Sequence, residues 1–276
     1  MTHMIYVVPS LKAKEKLQEE GKAWAESQGF AYVPRGKRTI QNLMDEYGED
    51  FLVYSSRGPQ IDRPEGSHFF SLNMAELRIQ NLRKGQRDHL LEALMGVKEQ
   101  DLRPAAAQPP ITVLDCTCGF GADAAVASFG LPAGSRVDAL EVSPLLEAVT
   151  AWGFSHFIHK KDDVTAALRR ISLRCGDYRD YLLSDGGPGY DVLYFDPMFQ
   201  RPVEASCQFQ PVRAIMEHGG LTRELIERAL QKACRRVVIK ERDFRQLCRD
   251  FPDVTLYGGK YSRIGYAVLE CDSWKK

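Results

Sequence analysis

Short apolar runs alternate with stretches of helical periodicity from about residue 111 onward. This alternation is typical of a parallel sheet whose strands are joined by crossover helices. A helix of small residues is expected at 124–128, after the turn that follows the first apolar run. Seven runs are predicted to be strands, at 112–115, 136–140, 171–175, 192–195, 237–240, 254–257 and 265–270. The pattern therefore predicts an α/β fold with a doubly wound, mostly parallel seven-stranded sheet.

The N-terminal part of the chain has a different, compact mixed pattern. An apolar strand is expected at 5–8, a charged helix at 11–28 and a second apolar segment at 51–54. Glycine and proline become frequent over 57–66, which predicts a linker. We expect a small α/β extension at 1–65 and the main domain at 66–276.

A long or broken helix is predicted over 73–94, where leucines recur among polar residues. Asn73 lies three residues before Glu76, an arrangement like a capping box. The segment also carries four basic residues, Arg78, Arg83, Lys84 and Arg87. Charge runs on helices are usually solvated faces, and the alternative is a surface that contacts phosphates.

The composition, with 44% hydrophobic and 27% charged residues, is that of an ordinary globular protein. Basic and acidic residues both number 37, so binding to nucleic acid requires a local basic patch. No apolar run approaches the roughly 20 residues of a membrane span, and segment 1–10 does not resemble a signal peptide. We therefore expect a cytoplasmic protein without membrane contact. The seven cysteines form no CxxC pairs, so neither a disulfide framework nor a metal site is predicted.

The first predicted strand runs into a glycine-rich turn, Asp115-Cys116-Thr117-Cys118-Gly119-Phe120-Gly121-Ala122-Asp123. Such a turn lets a ligand approach the backbone, and the helix start that follows offers free N–H groups. Open α/β sheets bind nucleotides here, which leaves a dinucleotide and S-adenosylmethionine (SAM) as candidates. The third glycine of the dinucleotide fingerprint is absent. Asp115 would repel a pyrophosphate but can accept a hydrogen bond from a methionine ammonium, so the turn favours SAM.

Two further acids follow the next predicted strands. Glu141 ends the second strand, where a carboxylate can hold both ribose hydroxyls. Asp177 follows the third strand and is placed to accept from the adenine amino group, with an ordinary turn aspartate as the alternative. Neighbouring residues complete the predicted cofactor site: Cys116, Thr117, Gly119, Gly121, Asp123, Val142 and Tyr178.

The fourth predicted strand ends in Asp196-Pro197-Met198-Phe199. This tetrapeptide resembles the Asp/Asn-Pro-Pro-aromatic motif of amino-methyltransferases. The Asp196 side chain and the Pro197 carbonyl can accept the two hydrogens of an exocyclic amine, and Phe199 can stack on a base. We predict these three residues as the catalytic site, where alignment rather than a strong base promotes the reaction. The alternative is that Asp196-Pro197 merely closes a strand.

A proline-containing stretch, 201–220, follows the predicted catalytic strand. It is long enough to be a substrate loop. Arg201, Arg213 and His218 are its candidates for contact with RNA.

With these motifs in this order, the chain resembles the small-subunit ribosomal RNA methyltransferase J family, which methylates the N2 amine of a guanine in 16S rRNA. The matching pieces lie within about residues 69–270: Phe69-Phe70, the helix Met74-Ala75-Glu76-Leu77-Arg78, segment 114–124, Leu140-Glu141, segment 194–199 and segment 237–243. Family members often have a histidine-proline pair where this chain has Ser71-Leu72.

The resemblance implies a SAM-dependent enzyme whose partner is ribosomal RNA or the small ribosomal subunit. It implies that Asp196 and Phe199 lie at the target base. Lys240 stands in a segment similar to the family's Val-Val-Lys-Arg, which implies contact with a phosphate. The residues implied to touch SAM are Asp115, Gly119, Glu141 and Asp177.

Three other functions are compatible with parts of this pattern. The first is methylation of another planar amine, on DNA, a protein glutamine or a small molecule, because Asp-Pro-x-Phe suits an amine rather than guanine as such. The second is a non-catalytic protein that keeps the fold, which the acids at 115, 141 and 196 argue against. The third is a nucleotide-dependent oxidoreductase, which the missing third glycine disfavours.

Overall fold

A computed structural model of the chain describes residues 4–97, 108–186, 189–197, 220–258 and 264–273. In chain order its elements are β1 (Tyr6–Pro9), α1 (Glu15–Gln28), β2 (Ala31–Tyr32), α2 (Ile40–Tyr47), β3 (Phe51–Ser55), β4 (Gly58–Arg63), β5 (Gly66–Phe69), α3 (Asn73–Arg83), α4 (His89–Met95), β6 (Thr112–Asp115), α5 (Ala122–Gly130), β7 (Arg136–Glu141), α6 (Pro144–His156), α7 (Asp162–Arg169), β8 (Ile171–Cys175), α8 (Tyr178–Leu183), β9 (Val192–Phe195), α9 (Arg223–Lys232), β10 (Arg236–Glu241), α10 (Arg245–Asp250), β11 (Thr255–Gly258) and β12 (Gly265–Glu270). Within these ranges, no helix has both the length and the apolar character needed to cross a lipid bilayer.

The described residues divide into two compact units. The first contains the described part of Met1–Ser71 together with Ser143–Phe157, and therefore includes α6. The second contains the described parts of Leu72–Val142, Ile158–Pro202 and Glu217–Lys276. The division of the chain into domains at 1–65 and 66–276 stays a prediction.

The first unit is a five-stranded sheet in the order β2-β1-β3-β4-β5. Strand β1 is parallel to both β2 and β3, while β3, β4 and β5 are antiparallel neighbours. Successive residues of β1 enter different cores, as expected for a strand covered on both faces. Val7 packs with Ala25 of α1, and Val8 packs with Leu43 of α2.

The predicted linker at 57–66 is wrong, because this segment forms β4 and the start of β5. Its glycine and proline residues belong to a hairpin instead of a break. Gly58, with φ +86°, closes the short turn opposite Ser55. Any Cβ at Gly58 would lie 2.5 Å from the ring of Trp152 in α6. Pro59 pairs in register with Tyr54.

The second unit contains the seven-stranded sheet, in the order β11-β12-β10-β9-β6-β7-β8. All seven strands predicted from the sequence are confirmed, with β11 shifted by one residue. β12 is antiparallel to both of its neighbours, and the remaining neighbours in this sheet are parallel to one another. Leu193 and Phe195 of β9 pack in the core that holds α8 and α9, whereas Tyr194 reaches Asp123 of α5. Helices therefore cover both faces, and the doubly wound α/β fold is confirmed.

The helical segment at 73–94 is broken into α3 and α4. Gly85 takes a left-handed φ of +76° between them, and Asp88 caps α4 by accepting from the backbone N–H of Leu90 at 3.0 Å. The expected capping box at the start of α3 is wrong. Asn73 is the first helical residue, and the cap position is occupied by Leu72.

Candidate active site

The candidate site lies where the strand order of the large sheet reverses, between β6 and β9. Chain segments leave the two strands in different directions at such a point, and the crevice at their carboxyl ends is where open α/β sheets bind ligands. Asp115 ends β6 and pairs in register with Tyr194 of β9, and Asp196 follows immediately after β9. The predicted cofactor turn and the predicted target motif are therefore neighbours.

The glycine-rich turn after β6 has the backbone shape that glycine permits. Gly119 and Gly121 have φ values of +54° and +75°, and Gly121 occupies the N-cap of α5. Among the described residues, a Cβ placed on Gly119 would come within 4 Å of the Thr117 carbonyl oxygen alone, at 3.9 Å. The turn thus leaves room for a ligand to approach its backbone.

Two buried acids stand at this turn. Asp115 is 2% exposed and accepts the Thr117 backbone N–H at 3.1 Å. Burial raises the pKa of Asp115 well above its ordinary value, and the Thr117 hydrogen bond opposes that change only in part. Glu141 is also buried and accepts the Gly119 N–H at 2.8 Å. These acceptors suit a ligand that offers an ammonium and hydroxyl groups, which SAM does.

Asp177 and Tyr178 have structural partners of their own. Asp177 caps α8 and accepts the Arg179 backbone N–H at 2.8 Å. It is also ion-paired with the Arg179 guanidinium at 2.7 Å. Burial favours a higher pKa for Asp177, but the bonds from Arg179 outweigh it and hold that pKa below its usual value. The Tyr178 ring packs edge-on against Phe195 with centroids 5.4 Å apart. Asp177 therefore has the contacts of a turn aspartate, and its adenine role stays a prediction.

Cys116 is buried, and its backbone N–H donates to the Tyr194 carbonyl at 2.9 Å. Burial raises the pKa of its thiol well above the ordinary value, so Cys116 is unsuited to act as a nucleophilic thiolate.

Val142, also predicted to bind the cofactor, follows β7, and its carbonyl lies 3.9 Å from the Cys175 thiol. Across the described part of the chain, no group of three or more histidine, cysteine or acidic residues is arranged to hold a metal ion.

Asp196, the predicted amine acceptor, is fixed at its backbone and at one carboxylate oxygen. Its N–H donates to Thr117 Oγ1 at 2.7 Å, and its Oδ2 accepts from Lys240 Nζ at 2.8 Å. The side chain keeps 29% of its surface exposed. Pro197 is half-buried, and Met198 and Phe199 lie outside the described residues, as do Arg201, Arg213 and His218. The structure thus places Asp196 directly against the glycine-rich turn that the sequence predicts to bind the cofactor.

Asp123, predicted to bind cofactor, lies at the centre of a charged network. It accepts from Lys240 Nζ at 2.8 Å, from the Tyr194 hydroxyl at 2.7 Å and from the Arg78 guanidinium. Burial by itself raises the pKa of Asp123, but the Lys240 and Arg78 cations outweigh it and hold that pKa below the usual range. The Lys240 ammonium, predicted to meet a phosphate, is therefore engaged by carboxylates.

The part of the chain that carries this site is similar to a known protein family. The family model described as "Putative SAM-dependent methyltransferase" matches residues 73–264, which include the glycine turn and Asp196. The chain belongs to this methyltransferase family. SAM is accordingly its cofactor, as the turn predicted.

Proteins similar to this methyltransferase include the Bacillus subtilis protein YpiP, 28% identical over 236 residues, covering 85% of this chain and 88% of that protein. The ribosomal RNA small subunit methyltransferase J of Marinobacter nauticus is 27% identical over 201 residues, or 72% of this chain and 66% of the relative. The protein of that name from Rhodopseudomonas palustris is 32% identical over 164 residues, 58% of this chain and 68% of the relative. The resemblance to the J family is confirmed.

Among solved structures, the SAM-dependent methyltransferase NGO1261 of Neisseria gonorrhoeae has a similar fold. Its TM-score is 0.59 at 17% sequence identity, and the alignment covers 96% of this chain and 95% of that one. This likeness supports the α/β architecture of the methyltransferase.

The basic residues of the α3–α4 region of the methyltransferase have two kinds of environment. Arg78 is mostly buried and binds Asp88 through two hydrogen bonds, of 2.8 and 2.7 Å, besides its contact with Asp123. Three basic residues are exposed, namely Arg83, Lys84 and Arg87. Arg83 is ion-paired with Asp163 and Arg87 with Glu92, and Lys84 is the C-cap of α3. Of the four basic residues predicted in this region, these three stay candidates for contact with a phosphate.

Tyr194 and Asp88 take part in the network around Asp123 and Arg78 of the methyltransferase, and neither is among the residues predicted from the sequence. The sequence places Tyr194 only in an apolar strand, although alternation within β9 puts it on the opposite face from Leu193 and Phe195. Asp88 both caps α4 and holds Arg78. An acid two residues before a run of leucines, as Asp88 is before Leu90, is a helix-start signal that identifies such a cap.

Proposed function

We propose that this methyltransferase modifies an exocyclic amine, and that its target is guanine N2 in small-subunit ribosomal RNA. The observation that carries the proposal is the position of Asp196. Its partly exposed carboxylate follows β9, and its backbone is hydrogen-bonded to Thr117 of the cofactor turn. This position supports a role for Asp196 as the acceptor of amine hydrogens next to the methyl donor.

SAM supplies a methyl group that is already activated on a sulfonium, so transfer depends chiefly on alignment. Asp196 and the Pro197 carbonyl accept the two amine hydrogens and direct the nitrogen lone pair. The amine nitrogen held by Asp196 would receive the methyl carbon, and the electron pair of the broken carbon–sulfur bond would remain on the sulfur of SAM. The nitrogen then releases one proton, which the Asp196 carboxylate accepts and passes to water.

The ribosomal target is supported by the relatives named ribosomal RNA small subunit methyltransferase J. It is also supported by the exposed basic residues Arg83, Lys84 and Arg87, which offer cations to a phosphate backbone. A ribosomal target implies that the protein acts in the cytoplasm, where ribosomal subunits are assembled.

A second candidate is an amine on DNA, a protein glutamine or a small molecule. The observation that favours it is the pairing of Arg83 with Asp163 and of Arg87 with Glu92. These pairs reduce the local positive field that a polyanion needs.

The test is transfer of labelled methyl from SAM to 16S rRNA and to 30S particles from a strain lacking this protein. We expect incorporation at N2 of one guanine by the native protein and none by Asp196→Ala, with SAM affinity retained in the variant. The control Lys160→Met changes an exposed residue of the same unit and should transfer normally. In parallel assays with DNA, a protein glutamine and a free amine as acceptors, incorporation there and not into rRNA would establish the second candidate. No incorporation into any acceptor despite SAM binding would overturn both.

A further inference from the structure

Lys240 joins two segments of the site that the sequence separates widely. Ile239 of β10 pairs with Phe195 of β9, so the parallel register brings the next residue, Lys240, beside Asp196. Lys240 Nζ lies 2.8 Å from Asp196 Oδ2 and 2.8 Å from Asp123 Oδ2. Its side chain is only 15% exposed. One buried ammonium therefore connects the target motif with the first turn of α5.

The Asp123 end of this connection is anchored. Tyr194, 2% exposed, donates its hydroxyl to Asp123 Oδ2 at 2.7 Å, and Arg78 occupies Oδ1. Arg78 is held in turn by two hydrogen bonds to Asp88, the cap of α4. Fully partnered buried networks of this kind fix side-chain positions. The Lys240 ammonium is consequently held in place before any substrate arrives.

The two oxygens of Asp196 have different environments. Oδ2 accepts from Lys240, whereas no hydrogen bond to Oδ1 is formed by any residue in the described ranges. The backbone N–H of Asp196 is fixed by Thr117. One oxygen thus serves to hold the carboxylate, and the other is available to a substrate.

We propose that Lys240 is the positioning residue of the methyl transfer: it holds Asp196 through Oδ2 as a carboxylate, so that Oδ1 accepts a hydrogen of the target amine. This rests on the proposed function, since it assigns a task to Asp196. It replaces the phosphate contact that the family resemblance implied for Lys240. Lys240 acts through Asp196 and does not itself touch the reacting atoms.

The electrostatics of the pair agree with this role. Burial raises the pKa of Asp196 above its usual value, the Lys240 ammonium opposes the rise, and the Asp123 charge adds to it. Without Lys240 the pKa of Asp196 rises further. A protonated carboxyl offers a donor where the amine needs an acceptor, so the loss of Lys240 should be felt most at low pH.

The kinetic experiment compares the full-length native protein with Lys240→Met, Lys240→Arg and the control Lys160→Met, using 30S particles from a strain lacking the protein. For Lys240→Met we expect kcat to fall about 100-fold near neutral pH, the loss typical of a misplaced reacting group, with KM little changed. The acid limb of its kcat profile should move to higher pH. Lys240→Arg keeps the cation and should restore most of kcat and the native profile. A raised KM with unchanged kcat and pH profile would instead indicate a phosphate contact and overturn the proposal.

A second experiment does not depend on activity. NMR titration of protein labelled with ¹³C at the aspartate carboxyl carbon follows Asp196 directly, with the signal assigned from Asp196→Asn. We expect Asp196 to titrate at higher pH in Lys240→Met than in the native protein, while thermal unfolding and SAM calorimetry show that the variant is folded. An unchanged titration would overturn the role of Lys240 even if methyl transfer is confirmed. A shifted titration without any amine methylation would show the ion pair to be structural, and would place the failure in the proposed function.

Discussion

Glu141 and Gly119 are joined by a hydrogen bond of 2.8 Å from the Gly119 N–H to the Glu141 carboxylate. The bond connects the end of β7 with the glycine-rich turn that follows β6. Glu141 is therefore placed to hold the turn in shape and, as we propose, to accept from the ribose of SAM.

The substitution Glu141→Ala should weaken SAM binding about 10- to 100-fold, since it removes hydrogen bonds to a charged acceptor. Glu141→Gln keeps an acceptor for the Gly119 N–H and should have a smaller effect. Calorimetry with SAM measures both, and Glu224→Ala, an exposed change on α9, serves as the control. Unchanged affinity in Glu141→Ala would refute the ribose assignment.

Replacing Thr117 by valine should separate catalysis from cofactor binding. Valine keeps the shape of the side chain but removes the Oγ1 acceptor of the Asp196 N–H. Because a net hydrogen bond contributes about 1 kcal/mol, we expect kcat to fall about fivefold. SAM affinity should change less, and Thr117→Ser should recover kcat. If affinity falls as much as kcat, the hydroxyl belongs to the cofactor site rather than to the alignment of Asp196.

SAM affinity should depend on pH through Asp115. Burial raises the pKa of this carboxyl well above its ordinary value in the free protein. A methionine ammonium favours the carboxylate, so binding should release a proton. Affinity is then expected to increase as pH rises through the raised pKa, by at most about tenfold per pH unit for one proton.

The pH dependence is measured by calorimetry between mildly acidic and mildly alkaline pH. Asp115→Asn should bind SAM more weakly and with a flat profile, whereas the exposed control Asp253→Asn should follow the native curve. A native profile that is already flat would contradict an ammonium contact at Asp115.

The exposed basic residues can be tested as a group. Changing Arg83, Lys84 and Arg87 together to glutamine should weaken RNA binding and flatten its salt dependence. For every phosphate that the protein no longer neutralises, the slope of log K against log salt becomes shallower by about 0.7–0.9. The control is a triple change of exposed basic residues elsewhere in the same unit: Lys160, Arg228 and Arg249. Equal slopes for the two triple variants would show that the α3–α4 region does not bind phosphate.

The strands of the large sheet could be predicted because buried parallel strands are nearly continuous apolar runs with clear breaks between them. The N-terminal unit was harder to predict. Its strand β2 has only two residues, and Pro59 and Gly58 suggested a linker although they form a hairpin. Local composition does not reveal that a glycine is needed beneath the ring of Trp152.

The meeting of Asp115, Glu141 and Asp196 was predictable, since carboxyl ends of parallel strands share one edge of a sheet. The pairing of Lys240 and Arg78 with Asp123 was not predictable from the sequence. Lys240 and Arg78 reach Asp123 across 117 and 45 positions of sequence, and such interactions depend on side-chain packing that spacing does not encode.

The most direct test of the central claim is nucleoside mass spectrometry of 16S rRNA from a strain lacking this protein and from the same strain complemented with it. The account predicts that the N2-methylguanosine content of 16S rRNA falls in the deletion strain and is restored by the native protein. Asp196→Ala, expressed at the same level and still binding SAM, should not restore it. An unaltered N2-methylguanosine content in the deletion strain, or full restoration by Asp196→Ala, would contradict the account.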